Sequence, residues 1–258
     1  MKRLLFLVTI LISFEAIASG GYTYIGVLAK AAHIPEKEHI LTFIFIGLLI
    51  ICGGLLYRIK LGKIKNKIIP DKGITFRNMV EAYGSFIYGE CKAVLGDKDA
   101  SKYFPYVATI FLVILVSNLI GLIPGFAPPT AALNTTLAIG IFSFCYYNLK
   151  GIKEQGFINY IKHFCGPMWV LAALIFPIEI LSNIIRPVSL ALRLQGNMMG
   201  DHTVMATFTD LAPFIVPIPF YLLGILVCII QAYVFTMLSM VYLSLATEHH
   251  DHDESHAH

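Results

Sequence analysis

Between Phe176 and His202 an apolar run carries Glu179, Arg186 and Arg193 at intervals of seven residues, two helical turns apart. Ser182, Asn183, Ser189, Asn197 and Asp201 fall close to the same stripe at offsets of three and four. Ionisable groups in such a setting are costly and mark ion or substrate pathways. A guanidinium keeps its proton, so Arg193, flanked by Leu190, Ala191, Leu192 and Leu194, needs a counter-charge or water. Asp201 lies eight residues on and Glu179 fourteen back, so neither is an obvious mate, and the missing partner points to another chain. For Glu179 and Arg186, nearer the end of the run, interhelical hydrogen bonds and snorkelling are the alternative.

Small residues complete the stripe. Ser189, Ala191, Gly196 and Gly200 let another helix come close to the buried cation, as contact with a moving carboxylate would require. His202 adds a group that exchanges protons near neutrality. Neighbouring helical residues point about 100° apart, so Asp201 and His202 can line one water cavity without touching. An aspartate at a solvated rim is the other reading of Asp201.

The elements that carry these residues are read from hydropathy. The 258 residues are 57% hydrophobic and 14% charged, against about a quarter charged in soluble domains. Lipid is therefore the solvent for most of the chain, and a net charge of +3 makes no case for nucleic-acid binding. Spans of about 20 apolar residues are expected at about Ile40–Tyr57, Tyr103–Ile123, Ala131–Leu149, Met168–Leu211 and Pro213–Ala246. The last two exceed a perpendicular crossing and are expected to be strongly tilted, broken, or both. From Ile74 to Leu95, apolar residues at three- and four-residue spacing predict an amphipathic helix on the membrane surface, with a soluble linker helix as the alternative. The fold expected is an all-α integral membrane protein of five transmembrane helices and one surface helix.

Basic loops fix the orientation. Arg58, Lys60, Lys63, Lys65, Lys67 and Lys72 follow the first span, and Lys150, Lys153 and Lys162 follow the third, so both loops are placed in the cytoplasm. Residues 1–18 read as a signal peptide, with Lys2 and Arg3, an apolar core and an A-x-A site at Ala16–Ala18; a retained short membrane segment is the alternative. Residues 19–39 are then extracytoplasmic, 40–247 form the polytopic domain, and 248–258 are a cytoplasmic His-rich tail. That tail, mixed with Asp251, Asp253 and Glu254, reads as solvated rather than as a metal site. The five cysteines lie far apart without a C-x-x-C pair, which gives no disulfide framework or zinc site.

The blocks PVSLALRLQGNMMGDH from Pro187 and QAYVFTMLSMVYLSLATEHH from Gln231 resemble the signature helices of the subunit a family of F-type ATP synthases. SNLIGLIPGF (Ser117–Phe126) and Asn134-Thr135-Thr136 resemble it more loosely, and the likeness covers about Ile40 to Ala246. The resemblance implies a non-catalytic stator subunit beside a rotating ring of c subunits in a bacterial inner membrane, held by b-type peripheral stalk subunits and working without a cofactor. Protons would pass through two offset half-channels, with Arg193 between them facing the ring carboxylate. On the same footing Asn197 matches the outer half-channel, Gln231 the glutamine beside the arginine, and Glu179 the cytoplasmic half-channel. Ser182 and Arg186 align on that cytoplasmic side, and His202 matches an outer position. The ring would touch Ser189, Arg193, Gly196 and Gly200. The family often pairs the His202 position with an ionisable residue seven before the glutamine, where this chain has Gly224; Asp201 is the candidate replacement.

Two other classes compete. A stand-alone transporter would use Arg and His in a tilted helix, but no inverted repeat appears. An intramembrane enzyme would need a motif such as H-E-x-x-H or G-x-S-x-G, and neither occurs. There is also no G-x-x-x-x-G-K-[ST] loop to hold a nucleotide's phosphates.

Overall fold

Long apolar runs become helices because, in lipid, a helix satisfies every backbone group within one segment. A computed structural model describes residues 23–31, 33, 37–62, 73, 75–123, 125–156, 160, 169–211 and 217–247. Its helices are α1 (Tyr24–Ala31), α2 (Glu38–Gly62), α3 (Phe76–Ile120), α4 (Leu133–Gln155), α5 (Trp169–Leu211) and α6 (Pro217–Thr247), with a 3-10 turn at Pro129–Ala131. The described residues contain no strand. The expected signal peptide, most of the basic loop after α2, and the His-rich tail lie outside them.

Among the described residues, four helices are long and apolar enough to cross a membrane: Glu38–Gly62, Phe76–Ile120, Ile175–Phe208 and Ile218–Thr247. Helix α4, expected as a further span, is not among them. Its composition is diluted by Thr135, Thr136, Ser143 and Asn148; the first three are buried and Asn148 is partly so. At 1.5 Å per residue, the 43 residues of α5 run about 65 Å and the 31 of α6 about 47 Å. Both exceed a hydrocarbon layer of about 30 Å.

The expected surface helix and second span form one helical element interrupted at Gly96, whose φ of 81° and ψ of 167° suit glycine alone. The chain folds back there. Tyr83 donates its hydroxyl to Ala108 O at 2.5 Å, and the Tyr88 and Phe104 rings meet edge to face at 5.8 Å. Lys92 and Asp97 pair at 2.9 Å across the turn. Upstream, Thr75 caps the helix by accepting from Asn78 N–H, and the buried Arg77 is paired with Glu81 at 2.6 Å.

The core lies among α3, α4, α5 and α6. Helices α5 and α6 run antiparallel in a constant register. Phe208 stacks on Phe220 with centroids 4.4 Å apart, Asn197 meets Gln231, and Arg186 lies over the Tyr242 ring at 5.0 Å. From one contact to the next the position falls by eleven residues on α5 and rises by eleven on α6, and eleven residues make about three turns. One face of each helix therefore stays on its partner from Arg186 to Phe208 of α5 and from Phe220 to Tyr242 of α6. Helix α4 crosses α5 closely at Gly140, where a Cβ would stand 2.8 Å from Pro187 O. Inside the bundle Tyr106 donates to Ser143 at 2.8 Å and Ser143 to Ser239 at 3.1 Å, joining α3, α4 and α6. Such interhelical bonds contribute about 0.6 kcal/mol each in membranes.

Candidate functional site

The packed face of α5 is apolar: Leu190, Ala191, Leu194 and Met198 are buried against the bundle. Because the helix repeats every 3.6 residues, this face turns Ser189, Arg193, Gly196, Asn197 and Gly200 onto an exposed flank. A Cβ added at Gly196 or Gly200 would meet nothing within 4 Å, so no packing contact among the described residues requires either glycine. Among the described residues no ion pair or side-chain hydrogen bond reaches Arg193. A permanent cation thus stands beside small residues with its counter-charge still to be supplied.

One turn beyond Arg193, Asn197 Nδ2 donates to Gln231 Oε1 at 2.6 Å. Gln231 is 3% exposed, and its Nε2 has no hydrogen-bond partner among the described residues. Sequence reasoning set Gln231 beside the arginine; here its bond goes to Asn197, leaving one amide hydrogen pair uncommitted.

Further along α5 the two ionisable neighbours diverge, as adjacent helical positions must. Asp201 faces α6: a Cβ on Gly224 would stand 2.8 Å from Asp201 Oδ2 and 2.8 Å from Leu122 Cδ2. The carboxylate thus fills the space that a side chain at Gly224 would take. His202 faces the end of α3, where a Cβ on Gly121 would lie 2.7 Å from its Nε2 and 2.8 Å from Pro128 Cγ. Asn118 braces this end, accepting from Thr130 Oγ1 at 2.8 Å and reaching Cys228 O with its amide at 3.5 Å.

The opposite end of α5 holds a second polar cluster. Glu179 and Arg186 approach to 3.6 Å, and Arg186 is held over the Tyr242 ring. They share a cleft of about 160 Å³ with Tyr147, Tyr160 and Asn183, large enough for several waters. Ser182 is partly buried on the same stretch. The sequence points to Glu179, Ser182, Asn183 and Arg186 here, as members of the polar stripe, but gives no signal for Tyr147, Asn148, Tyr160 or Tyr242. Arg186 and His202 are sixteen residues apart, about 24 Å along the helix, with Arg193 between them. Two polar clusters thus lie toward opposite ends of α5, with the exposed Arg193 between them.

The family described as ATP synthase A chain matches residues 40–244. The chain is 44% identical over 217 residues to ATP synthase subunit a of Bdellovibrio bacteriovorus, covering 84% of this chain and 94% of that one. It is 49% identical over 172 residues to ATP synthase subunit a of Geobacter sulfurreducens, covering 67% and 74%. It is also 49% identical over 172 residues to ATP synthase subunit a 2 of Syntrophotalea carbinolica, covering 67% and 73%.

Proposed function

The chain belongs to the ATP synthase A chain family, and on that premise we propose that it is the proton-translocating stator subunit of a rotary ATP synthase. It provides two offset half-channels and couples proton flow through a c-subunit ring to rotation and ATP synthesis. The subunit itself makes and breaks no covalent bond; nucleotide chemistry belongs to the soluble sector. The observation that carries this reading is Arg193, exposed between two polar clusters and beside glycines with open space around them.

Each step follows from charge and position. A proton enters from the outer face by way of Asp201, His202 and Asn197 and neutralises a ring carboxylate, which then turns into lipid. After nearly a full turn the carboxylate reaches Arg193 from the other side. The guanidinium favours its ionised form, so the proton leaves past Glu179 into the cytoplasm. The fixed positive charge also repels any proton crossing directly from one cluster to the other. Each charge moved gains about 2.3 kcal/mol per 100 mV of membrane potential. Asp201, seated against Gly224, supplies the outer ionisable group that α6 lacks at that place. Gln231, fixed by Asn197, presents its amide between the outer path and the arginine. Ser189, Arg193, Gly196 and Gly200 form the ring contact.

In the membrane, α2, the second half of α3, α4, α5 and α6 cross, and the first half of α3 lies at the cytoplasmic surface. The N-terminus lies outside the bacterial inner membrane after a signal peptide, and the C-terminus inside. B-type stalk subunits anchor the chain.

ATP-driven acidification of inverted vesicles holding the assembled complex tests the reading. Arg193→Ala is expected to abolish pumping while the complex still assembles. Normal pumping by that variant would return the chain to the class of independent transporters.

A further inference from the structure

Resting on the rotary reading above, we propose that Asn183 and Asn148 are positioning residues of the cytoplasmic proton outlet. Their amide pair ties α4 to α5 and presents tyrosine hydroxyls to the cleft water as hydrogen-bond acceptors.

The hydrogen bonds run in one sense. Tyr147 donates its hydroxyl to Asn183 Oδ1 at 2.8 Å, and Asn183 Nδ2 donates to Asn148 Oδ1 at 3.2 Å. The same oxygen accepts from the Tyr160 hydroxyl at 2.7 Å. Asn148 Nδ2 donates to Phe144 O, within its own helix, at 2.8 Å. This last bond sets the orientation of the whole group, because flipping the Asn148 amide would aim its NH₂ at two donors and its oxygen at a carbonyl. A tyrosine hydroxyl has one hydrogen. With that hydrogen committed to an amide oxygen, Tyr147 meets a cleft water only by accepting from it.

The lining is therefore polarised. Arg186 offers only hydrogens; Glu179 and the Tyr147 hydroxyl offer acceptors. Water in the cleft is oriented by these groups, hydrogens toward the acceptors and oxygen toward the guanidinium. The two asparagines carry no titratable proton, so they are not relay members and act through what they hold. Asn183 sits one turn after Glu179 and nearly one turn before Arg186, and is 7% exposed. Anchoring it to α4 fixes the direction in which both charged neighbours point. A network serving only to join two helices would not need to border an open polar cleft, whereas Asn183 and Tyr147 both line it.

The test uses the assembled complex in inverted vesicles, whose outer surface is the cytoplasmic face. Asn183→Leu keeps the branched shape, at a somewhat larger volume, and removes both bonds. ATP-driven acidification per assembled complex is expected to fall about tenfold, the scale set by leaving buried polar partners unpaired. In parallel, Glu179→Cys is labelled by a water-soluble thiol reagent added outside and read at that residue by peptide mass. Labelling is expected to fall when Asn183→Leu is added. Tyr147→Phe, which keeps the ring and its packing, is expected to slow pumping several-fold and decides the matter if Asn183→Leu does not assemble. Wild-type pumping by these variants overturns the proposal. So does slowed pumping with unchanged labelling at position 179, which would make the amides simple helix ties. Arg193→Ala run alongside separates the two levels: if it pumps normally, the rotary reading itself fails; if it alone stops pumping, only the positioning role fails.

Discussion

At the position where a side chain on α6 would begin, a Cβ on Gly224 would stand 2.8 Å from both Asp201 Oδ2 and Leu122 Cδ2. Gly224→Ala should therefore lower the midpoint of thermal inactivation of the complex by the equivalent of about 1–3 kcal/mol, the cost of overpacking. In an Asp201→Gly background the same change should cost little, because the carboxylate is gone and the flexible end of Leu122 can turn away. Penalties that simply add would mean that the two residues do not share one slot. The residues on α5 were legible in the sequence, since Glu179, Arg186, Arg193 and Asp201 are ionisable groups in a lipid-soluble run. Gly224 was legible only as a gap. That Asp201 fills it depends on the α5–α6 register, which no spacing within either helix encodes. Tyr147, Asn148 and Tyr242 were hidden for a related reason: in an apolar span, tyrosine and asparagine read as ordinary interhelical contacts until a cleft is found beside them.

Among the elements, the fold-back at Gly96 is the one most dependent on a single backbone conformation. Its φ of 81° and ψ of 167° lie where a side chain is strained by about 1–3 kcal/mol. Gly96→Ala should reduce the amount of assembled complex recovered from membranes. Gly89→Ala, seven residues earlier on regular helix with open space around it, should leave that amount unchanged or raise it. Equal loss from both would mean that the turn is not what holds the two halves together. The sequence separated an amphipathic segment ending near Leu95 from a span starting near Tyr103, because its hydrophobic period and charge content change there. It did not reveal that Tyr83 reaches Ala108, since that contact depends on the direction of the turn rather than on either pattern. Helix α4 was expected from its apolar length, yet its inward side is polar, with Ser143, Tyr147 and Asn148 bonded to other helices or to its own backbone.

For the whole molecule, two bare surfaces invite comparison. Only 11% of the apolar window of α2 is buried, and Leu48, Leu49, Ile51, Leu55 and Leu56 are exposed around its second half. A helix apolar on all sides is stable only in lipid or against a partner. The α5 flank differs in kind, pairing a permanent cation with Gly196 and Gly200 rather than with bulk. Neither glycine has a neighbouring atom within 4 Å of an added Cβ, and the same holds for Gly53 and Gly54 on α2. An alanine at any of these places should therefore fit the isolated subunit without a clash, and at the exposed Gly196 and Gly200 a leucine should project outward. If the ring packs against α5, Gly196→Leu and Gly200→Leu must obstruct it, because close approach needs small residues. The expected result is wild-type levels of the subunit in membranes, with ATP-driven pumping reduced at least about tenfold, as for lost hot-spot contacts. Pumping equal to wild type in both variants would move the ring contact elsewhere on the chain. A lost subunit would instead place the glycines in the fold. A residue that proves dispensable for folding and indispensable for pumping would belong to an interface, and on the α5 flank such residues would stand beside Arg193, which has no side-chain partner among the described residues.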